Sequence, residues 1–315
     1  MYVLGISCFY HDASAALLKD GKIVAAVQEE RFTRKKHDIS FPKNAIEYCL
    51  KNQNISIKDI DHIGFYEKPL LKFERVLYQH LEIFPRSYKT FIKNIPLWFN
   101  EKLRVLKIIR KLGYNKSVFF IHHHMTHAAS FLLSPFRKAA ILTIDGVGEW
   151  TTTAYGYGDE NEITLLKELQ FPSSLGLLYS TITAYLGFSV NNSEYKVMGL
   201  SAYGDMNKKT NNYYEKLKQV IDVKIDGSFR LDMSYFGYHY GNKMPSKNLG
   251  GLLGGKIRKS NEEITQRHKD IAAALQLITE EVIIKILNFV LEDAYLGPEY
   301  SDLEIKNFLD NNLIY

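Results

Sequence analysis

The first sixty residues alternate between apolar stretches and short polar turns. Residues 2–7 and 13–18 predict two β-strands, and an Asp20-Gly21 turn leads into a third apolar run at 23–27. Two apolar runs joined by an Asp-Gly turn are typical of a β-hairpin. Residues 42–51 then predict a helix, because proline is favoured in the first helical turn. This part of the chain therefore begins as a strand meander followed by a helix.

A second group of strands is predicted further along the chain. Residues 138–145 and 152–157 form another strand pair, joined by a Gly146–Trp150 turn and followed by helical sequence. The same succession of strand pair, polar turn and helix therefore occurs twice. Such a duplication suits an α/β protein with the actin/sugar-kinase architecture, in which two related lobes close over a nucleotide.

Two further segments are helical in pattern. Between residues 261 and 290 apolar side chains recur at helical spacing, which predicts a core helix. Residues 68–116 are rich in lysine, arginine and aromatic residues. Two interpretations stand for them: a basic face for a nucleotide-bearing or sugar substrate, or two or three amphipathic helices with solvated lysines.

Composition narrows the protein class. The 315 residues are 46% hydrophobic and 24% charged, which is typical of a globular protein with a sizeable core. The net charge of +5 does not favour nucleic acid as a partner but suits an anionic substrate such as a nucleotide. Two cysteines argue against a disulfide framework and favour the cytoplasm. We find no signal peptide and no apolar run that spans a bilayer, so a membrane partner is not expected.

The most informative motif is a histidine pair with a downstream aspartate. His123 and His127 are four residues apart, which on a helix places both imidazoles on one face. Asp145 ends an apolar, strand-like run. Together they predict a His/His/Asp site for iron or zinc. His122 and His124 are expected to point elsewhere on the same helix and are assigned at most the role of orienting a ligand. The alternative is that the histidines are structural.

A second polar motif, His11-Asp12-Ala13-Ser14, lies between the first two predicted strands. In a functional interpretation, Ser14 and nearby backbone N–H groups hold a phosphate, while His11 acts as an acid or base or holds a carbonyl group. In the alternative, the motif is an ordinary turn with local side-chain hydrogen bonds.

A run of mixed charge, residues 29–38, follows the third predicted strand. The functional interpretation assigns Arg31 and Lys36 to phosphate or carbamoyl oxygens. The alternative is a solvated surface on which acids and bases neutralise each other.

A further motif, residues 191–204, contains Glu194 and Lys196. They lie beside small residues that permit close backbone approach, among them Gly199. An ordinary loop is the alternative. Residues 250–256 match the first seven positions of a phosphate-binding P-loop. The eighth is Ile257 rather than serine or threonine, and no apolar strand precedes the segment, so a P-loop is rejected.

Seven stretches of the chain together resemble the O-carbamoyltransferases of nodulation-factor and antibiotic biosynthesis. They are GISCFYHDASAAL, EERFTRKKHDISFP, HHHMTHAASFLLSPF, TIDGVGEW, SLGLLYSTITAYLGF, EYKVMGLSAYG and DIAAALQ, and they occur in the family's order. The resemblance implies an actin-like transferase lobe at residues 1–290, similar to the tRNA threonylcarbamoyl transferases. In the family a carboxy-terminal lobe makes carbamoyl-adenylate from carbamoyl phosphate and ATP, and the amino-terminal lobe transfers the carbamoyl group to a hydroxyl, usually on a sugar.

The resemblance also assigns roles to residues. His123, His127 and Asp145 match ligands of a divalent metal, which is iron in the family, and His11 and Lys36 match polar residues at the carbamoyl site. Residues expected to contact ATP or carbamoyl-adenylate are Ser14, Glu194, Lys196 and Gly199.

The chain departs from the family pattern in two places. Ser201 and Ala202 replace alanine and proline, which alters loop stiffness rather than chemistry. Near residue 290 the family's glycine-rich segment and a later aspartate ligand have no counterpart, and residues 291–315 resemble the start of the carboxy-terminal lobe. We therefore expect an internally deleted and truncated chain. It is interpreted as a fragment, as a split gene product whose missing lobe a separate chain would supply, or as a degenerate paralogue. The alternatives are a non-catalytic paralogue that binds a nucleotide or partner, and a tRNA threonylcarbamoyl-type transferase.

Overall fold

The computed structural model describes residues 1–239 and 243–291. The chain divides into two compact units, Met1–Thr126 and His127–Tyr315, and the division falls within one short helix. Most of the predicted carboxy-terminal remnant, residues 292–315, lies outside the described residues, as does nearly all of the sequence on which the expected deletion near residue 290 rests.

The first unit is built on a five-stranded sheet in the order β3-β2-β1-β4-β5. Its strands are β1 (Tyr2–Ser7), β2 (Ser14–Lys19), β3 (Lys22–Gln28), β4 (His62–Phe65) and β5 (Val118–Phe120). β1, β2 and β3 form the predicted antiparallel meander, with Tyr2 opposite Lys19 and Ser7 opposite Ser14. β4 and β5 then continue the sheet parallel to β1. The predicted Asp20-Gly21 turn is confirmed, and both of its residues have positive φ angles.

The first unit also contains α-helices, the last of which continues into the second unit. They are α1 (Glu30–Thr33), α2 (Lys43–Asn52), α3 (Pro69–Glu82), α4 (Tyr88–Asn100), α5 (Val105–Lys111) and α6 (His123–Ala128). The core lies between the sheet and α2, where Leu4, Leu17 and Ile63 are buried with Ala45 and Cys49. The prediction of helices over residues 68–116 is confirmed by α3, α4 and α5.

The second unit repeats the antiparallel meander. Its strands are β6 (Lys138–Ile144), β7 (Thr151–Asp159) and β8 (Glu162–Gln170), in that order, and a separate pair, β9 (Ile221–Val223) and β10 (Phe229–Leu231). β8 was not predicted. Among the described residues no further strand joins β6 in the way that β4 joins β1. The described residues therefore form an α/β protein of the actin/sugar-kinase class.

Five α-helices follow among the described residues of this unit. They are α7 (Leu175–Tyr185), α8 (Glu194–Ser201), α9 (Asn212–Lys218), α10 (Lys247–Leu252) and α11 (Gln266–Val290). The predicted core helix is α11, whose residues Ile271, Leu275 and Val282 are fully buried. It starts at Gln266 rather than 261, because Thr265 and His268 form a reciprocal cap at its first turn.

Two local interpretations are decided by these helices. The loop interpretation of residues 191–204 is wrong over Glu194–Ser201, which is α8. Gly250 and Gly251 of the rejected P-loop match lie inside α10, not in a loop that follows a strand.

Candidate functional site

Two histidines and one aspartate come together at α6 and the end of β6. His123 is the first residue of α6, and His127 lies one turn later on the same helix. Asp145 directly follows the last residue of β6. One potential ligand atom from each of the three side chains lies within 4.8 Å of the other two. The structure thus brings together all three residues that the sequence nominated for a metal.

The donor set fits a divalent transition metal. Two imidazoles and one carboxylate, with coordination positions left for other oxygens, are typical ligands of iron(II) and also suit zinc. Ligand atoms about 2.1 Å from one ion stand at most about 4.2 Å apart. The 4.8 Å bound on the distances between the three candidate ligand atoms is close to this limit. His127 is exposed, so substrate oxygens have access to the site.

The neighbouring histidines are placed differently from each other. His124 is buried, and the centre of its ring lies 6.0 Å from that of His123, so it packs beside a candidate ligand. His122 is exposed and precedes the first residue of α6. The expectation that both lie on this helix is therefore wrong for His122.

The first turn of α7 holds the backbone of Asp145. The Ser174 hydroxyl lies 3.1 Å from the Asp145 carbonyl oxygen and 2.7 Å from that of Gly146, and it accepts the Leu177 N–H as a helix cap. A methyl group on Gly176 would stand only 2.7 Å from the Asp145 carbonyl oxygen. Close packing at this helix terminus therefore fixes the loop that carries the carboxylate.

Sequence reasoning did not assign this role to Ser174 or Gly176. A serine followed two residues later by glycine, before an apolar run, is an available helix-start pattern. The contact with Asp145 bridges 29 positions of the chain, so spacing alone gives no indication of it.

A second polar group forms in the first unit around Asp12. One carboxylate oxygen lies 2.8 Å from Nδ1 of His11, and the other lies 2.9 Å from Nδ1 of His37. Asp12 and His37 have positive φ angles, 49° and 54°, a conformation that costs energy for non-glycine residues and often occurs at functional sites. The motif is therefore more than a turn with purely local bonds, because Asp12 bridges two imidazoles from separate segments.

Electrostatics favour the ionised form of Asp12. Burial raises the pKa of this carboxyl, but hydrogen bonds from His37 and His11 outweigh that effect, and the net pKa is lowered. The carboxylate is therefore available as a hydrogen-bond acceptor for both rings at neutral pH.

The charged run at residues 29–38 contains two buried carboxylates, so the solvated-surface interpretation is wrong for them. Glu29 accepts the backbone N–H groups of Asn44 and Ala45 at the start of α2, where the helix dipole favours negative charge. Asp38 accepts the N–H and hydroxyl of Ser40, and these bonds lower its pKa to about 2. Both acids fix the loop that carries His37.

The basic residues of the same run remain at the surface. Lys36 and Arg31 are exposed, and the Arg31 guanidinium lies 3.7 Å from Glu30. Ser14 is half-buried at the start of β2, beside the His11–Asp12 turn. Lys36 and Ser14 thus flank the Asp12 group along the chain.

Glu194 holds together the loop that precedes α8. Its carboxylate accepts the Asn191 N–H at 2.8 Å, the Ser193 N–H at 3.1 Å and the Ser180 hydroxyl at 2.8 Å. Lys196 and Gly199 are exposed on α8, and a methyl group on Gly199 would meet no atom within 4 Å. Close backbone packing therefore does not account for Gly199, whose surroundings are open.

Comparison with known proteins decides the family. Residues 2–297 match the family described as Carbamoyltransferase N-terminus. The chain belongs to this family. The match spans the metal-ligand candidates, the Asp12 group and α8, and it confirms the resemblance drawn from the seven motifs.

The chain is also similar to two longer proteins. It is 48% identical over 309 residues to an uncharacterized protein, sll1178, of Synechocystis, covering 95% of this chain and 49% of that protein. It is 32% identical over 286 residues to the nodulation protein NolNO of Sinorhizobium fredii, covering 89% of this chain and 38% of NolNO. The chain therefore spans half or less of the length of these relatives.

Among solved structures, the chain is similar to a Pseudomonas aeruginosa protein described as resembling the peptidase YeaZ. The sequence identity is 12%, the TM-score is 0.32, and the match covers 55% of this chain and 71% of that one. Among the described residues, no helix is both long and apolar enough to cross a membrane.

Proposed function

We propose that this chain is the transferase lobe of an O-carbamoyltransferase, which moves a carbamoyl group from carbamoyl-adenylate to a hydroxyl of a sugar-containing or secondary-metabolite acceptor. Membership of the carbamoyltransferase N-terminus family supports the reaction class. The observation that carries the proposal is the convergence of His123, His127 and Asp145. Formation of carbamoyl-adenylate from carbamoyl phosphate and ATP is assigned to a carboxy-terminal lobe or to a separate chain.

His123, His127 and Asp145 would hold a divalent metal, with iron(II) as the first choice. When bound, such an ion supplies Lewis-acid stabilisation of phosphate or carbonyl oxygens. The protein's own contribution is to hold the carboxylate in place, through Ser174 and the close contact at Gly176. The two imidazoles are fixed relative to each other by one turn of α6.

His11 is proposed as the base that accepts the acceptor's hydroxyl proton. A carboxylate only accepts hydrogen bonds, so the bond to Asp12 requires the proton of a neutral His11 ring to lie on Nδ1. Nε2 is then free to take a proton. As the hydroxyl oxygen bonds to the carbamoyl carbon, the carbon–oxygen bond to the phosphate breaks and AMP leaves. The exposed Lys36 cation is assigned to anionic or carbamoyl oxygens.

Nucleotide contacts are assigned to Ser14 and to the open face of α8. Lys196 supplies a cation there, and Gly199 leaves space for close approach of a ligand. Glu194 acts through the loop that it holds, since its carboxylate already accepts three hydrogen bonds.

Release of AMP from synthetic carbamoyl-adenylate tests the proposal. With anaerobic iron(II) and an amino sugar as probe acceptor, we expect AMP formation that depends on the metal. Either a sugar hydroxyl or water can cleave the mixed anhydride, and both reactions release AMP. His11→Ala should lower the rate by a factor of about 10² to 10⁴, as loss of a general base does. AMP release that does not depend on metal or on His11 would contradict the mechanism.

The second candidate is a non-catalytic nucleotide- or partner-binding protein. Calorimetric titration with ATP separates the two candidates: nucleotide binding without any AMP release, even when a complementary carboxy-terminal chain is added, would support this one. A tRNA threonylcarbamoyl-type activity would instead require strong, salt-dependent tRNA binding.

A further inference from the structure

The helices α3 and α4 carry apolar side chains on their outer faces. On α3 the buried positions include Lys72 and Arg75, while Leu70 and Leu81 are each 74% exposed and Tyr78 is also exposed. An ordinary surface helix has the reverse pattern, with apolar residues inward and charges outward. Lys72 is paired with the buried Glu67, so the inner face is stabilised as it stands.

The outer face of α4 has the same character. Tyr88, Ile92 and Phe99 are exposed at helical spacing, and Lys89 and Lys93 are exposed beside them. Including the loops, nine large apolar side chains between residues 70 and 106 are exposed. We call Leu70, Tyr78, Leu81, Tyr88, Ile92 and Phe99 the α3–α4 surface. Large exposed apolar side chains concentrated on two neighbouring helices often mark an interaction site.

Charge identifies the kind of partner. Residues 68–116 contain twelve lysines and arginines against three glutamates, a net charge of +9, although the whole chain carries only +5. The rest of the chain is therefore net negative, and the positive charge is concentrated in the segment that contains α3, α4 and α5. Lys72 and Arg75 are buried, which leaves ten cations of this segment for a partner. A partner must offer negative charge and an apolar interior together.

We propose that the α3–α4 surface binds the surface of an anionic lipid membrane, with apolar side chains among the acyl chains and lysines at the headgroups. Amphipathic helices with lysine beside aromatic and aliphatic residues bind such surfaces in this way. Lys89 and Lys93 lie next to Tyr88 and Ile92 in sequence, so their ammonium groups reach the headgroup level while the apolar side chains are inserted. A membrane-spanning helix is not required.

RNA is the competing anionic partner, and the structure favours lipid over it. Stacking on bases uses aromatic rings, and phosphate binding uses cations. Exposed leucine and isoleucine contribute to neither, yet Leu70, Leu81 and Ile92 are prominent on this surface. The expectation that a membrane is not a partner rested on the lack of a spanning segment, which does not bear on surface binding.

Vesicle co-sedimentation tests the proposal. The full chain should sediment with vesicles of phosphatidylcholine and phosphatidylglycerol, should not sediment with phosphatidylcholine alone, and should be released by high salt. Because each lysine near an anionic surface contributes about 1 kcal/mol, the double variant Lys89→Glu and Lys93→Glu should lower the partition coefficient at least about tenfold. The matched control, Lys22→Glu and Lys58→Glu, makes the same charge change at exposed positions of the same unit.

A second pair of variants separates apolar insertion from charge. Leu81→Ser with Ile92→Ser should weaken vesicle binding severalfold, while Leu166→Ser with Ile225→Ser, at exposed sites elsewhere, should leave it unchanged. Circular dichroism checks that all variants fold. Absence of binding to anionic vesicles, equal loss in the control variants, unchanged binding of the Leu81/Ile92 variant, or equally strong binding to an RNA oligomer would each overturn the proposal.

Discussion

Asp12 links two histidines that are 26 positions apart in the sequence. Its carboxylate accepts from Nδ1 of His11 and Nδ1 of His37, and its own backbone is held at a positive φ angle. The motif His11-Asp12 was visible in the sequence, but the contribution of His37 was not. Only the folded loop at residues 29–40 brings that ring to the carboxylate.

Replacing Asp12 by asparagine tests this arrangement. Asp12→Asn removes the negative charge that favours the Nδ1–H tautomer of both rings, so the two rings should lose that preference. Histidine ¹⁵N chemical shifts report the tautomer of each ring. Asp20→Asn, in the other turn of the same meander, is the control, and unchanged tautomers in Asp12→Asn would refute the bridge.

Asp38 should make folding stability depend on pH. Its pKa is lowered to about 2 in the folded state by the Ser40 hydroxyl and N–H, whereas an unfolded aspartate titrates near about 3.9. Its contribution is therefore fully present above about pH 4 and is lost as the pH falls towards 2. Chemical denaturation should show that Asp38→Asn is less stable than the native chain at pH 6, with the difference disappearing near pH 2. A difference that persists unchanged at low pH would exclude this origin.

At the scale of elements, the N-terminus of α7 sets the position of Asp145. Ser174 and Gly176 pack directly on the loop after β6. The strand and the carboxylate were both predicted, since a buried run ending in Asp-Gly is recognisable. The helix that fixes them was not assigned this role, because the contact is non-local.

Gly176→Ala tests whether this contact matters. The new methyl group would meet the Asp145 carbonyl oxygen at 2.7 Å, so the loop must shift. Overpacking of this kind costs about 1–3 kcal/mol of unfolding free energy, and metal affinity should fall with it. Gly251→Ala, in α10 with no atom within 4 Å of the added methyl, should be neutral or stabilise the fold by up to about 1 kcal/mol. Equal effects of the two substitutions would contradict the assigned role of Gly176.

The elements missed from the sequence have physical explanations. Most side chains of β8 are exposed, and its charged residues obscure the alternation of apolar and polar positions that predicts a strand. The strand is recognised in the structure by its antiparallel pairing with β7. The segment of α8 has glycine and serine near its end, which favoured a loop, but Val197 is fully buried and Glu194 stabilises its start. Tertiary contacts decided both elements.

On the scale of the whole molecule, the order of motifs carried the most information. Seven stretches in the family's order gave the fold class, and the match over residues 2–297 confirms the family. In both units three consecutive strands form an antiparallel meander, which agrees with the duplication predicted from the sequence. Sequence reasoning could not give the placement of Glu29 and Asp38 in the interior, because their partners at Asn44, Ala45 and Ser40 are defined only by the folded backbone.

The proposal of carbamoyl transfer depends most directly on the site formed by His123, His127 and Asp145. Metal analysis of protein prepared anaerobically with iron(II) should give close to one ion per chain. His127→Ala should abolish this stoichiometry, because a single remaining imidazole with Asp145 is a poor chelate. His122→Ala, at an exposed residue just before α6, should retain the ion. Trace metal in the native chain, or full occupancy in His127→Ala, would contradict the assignment.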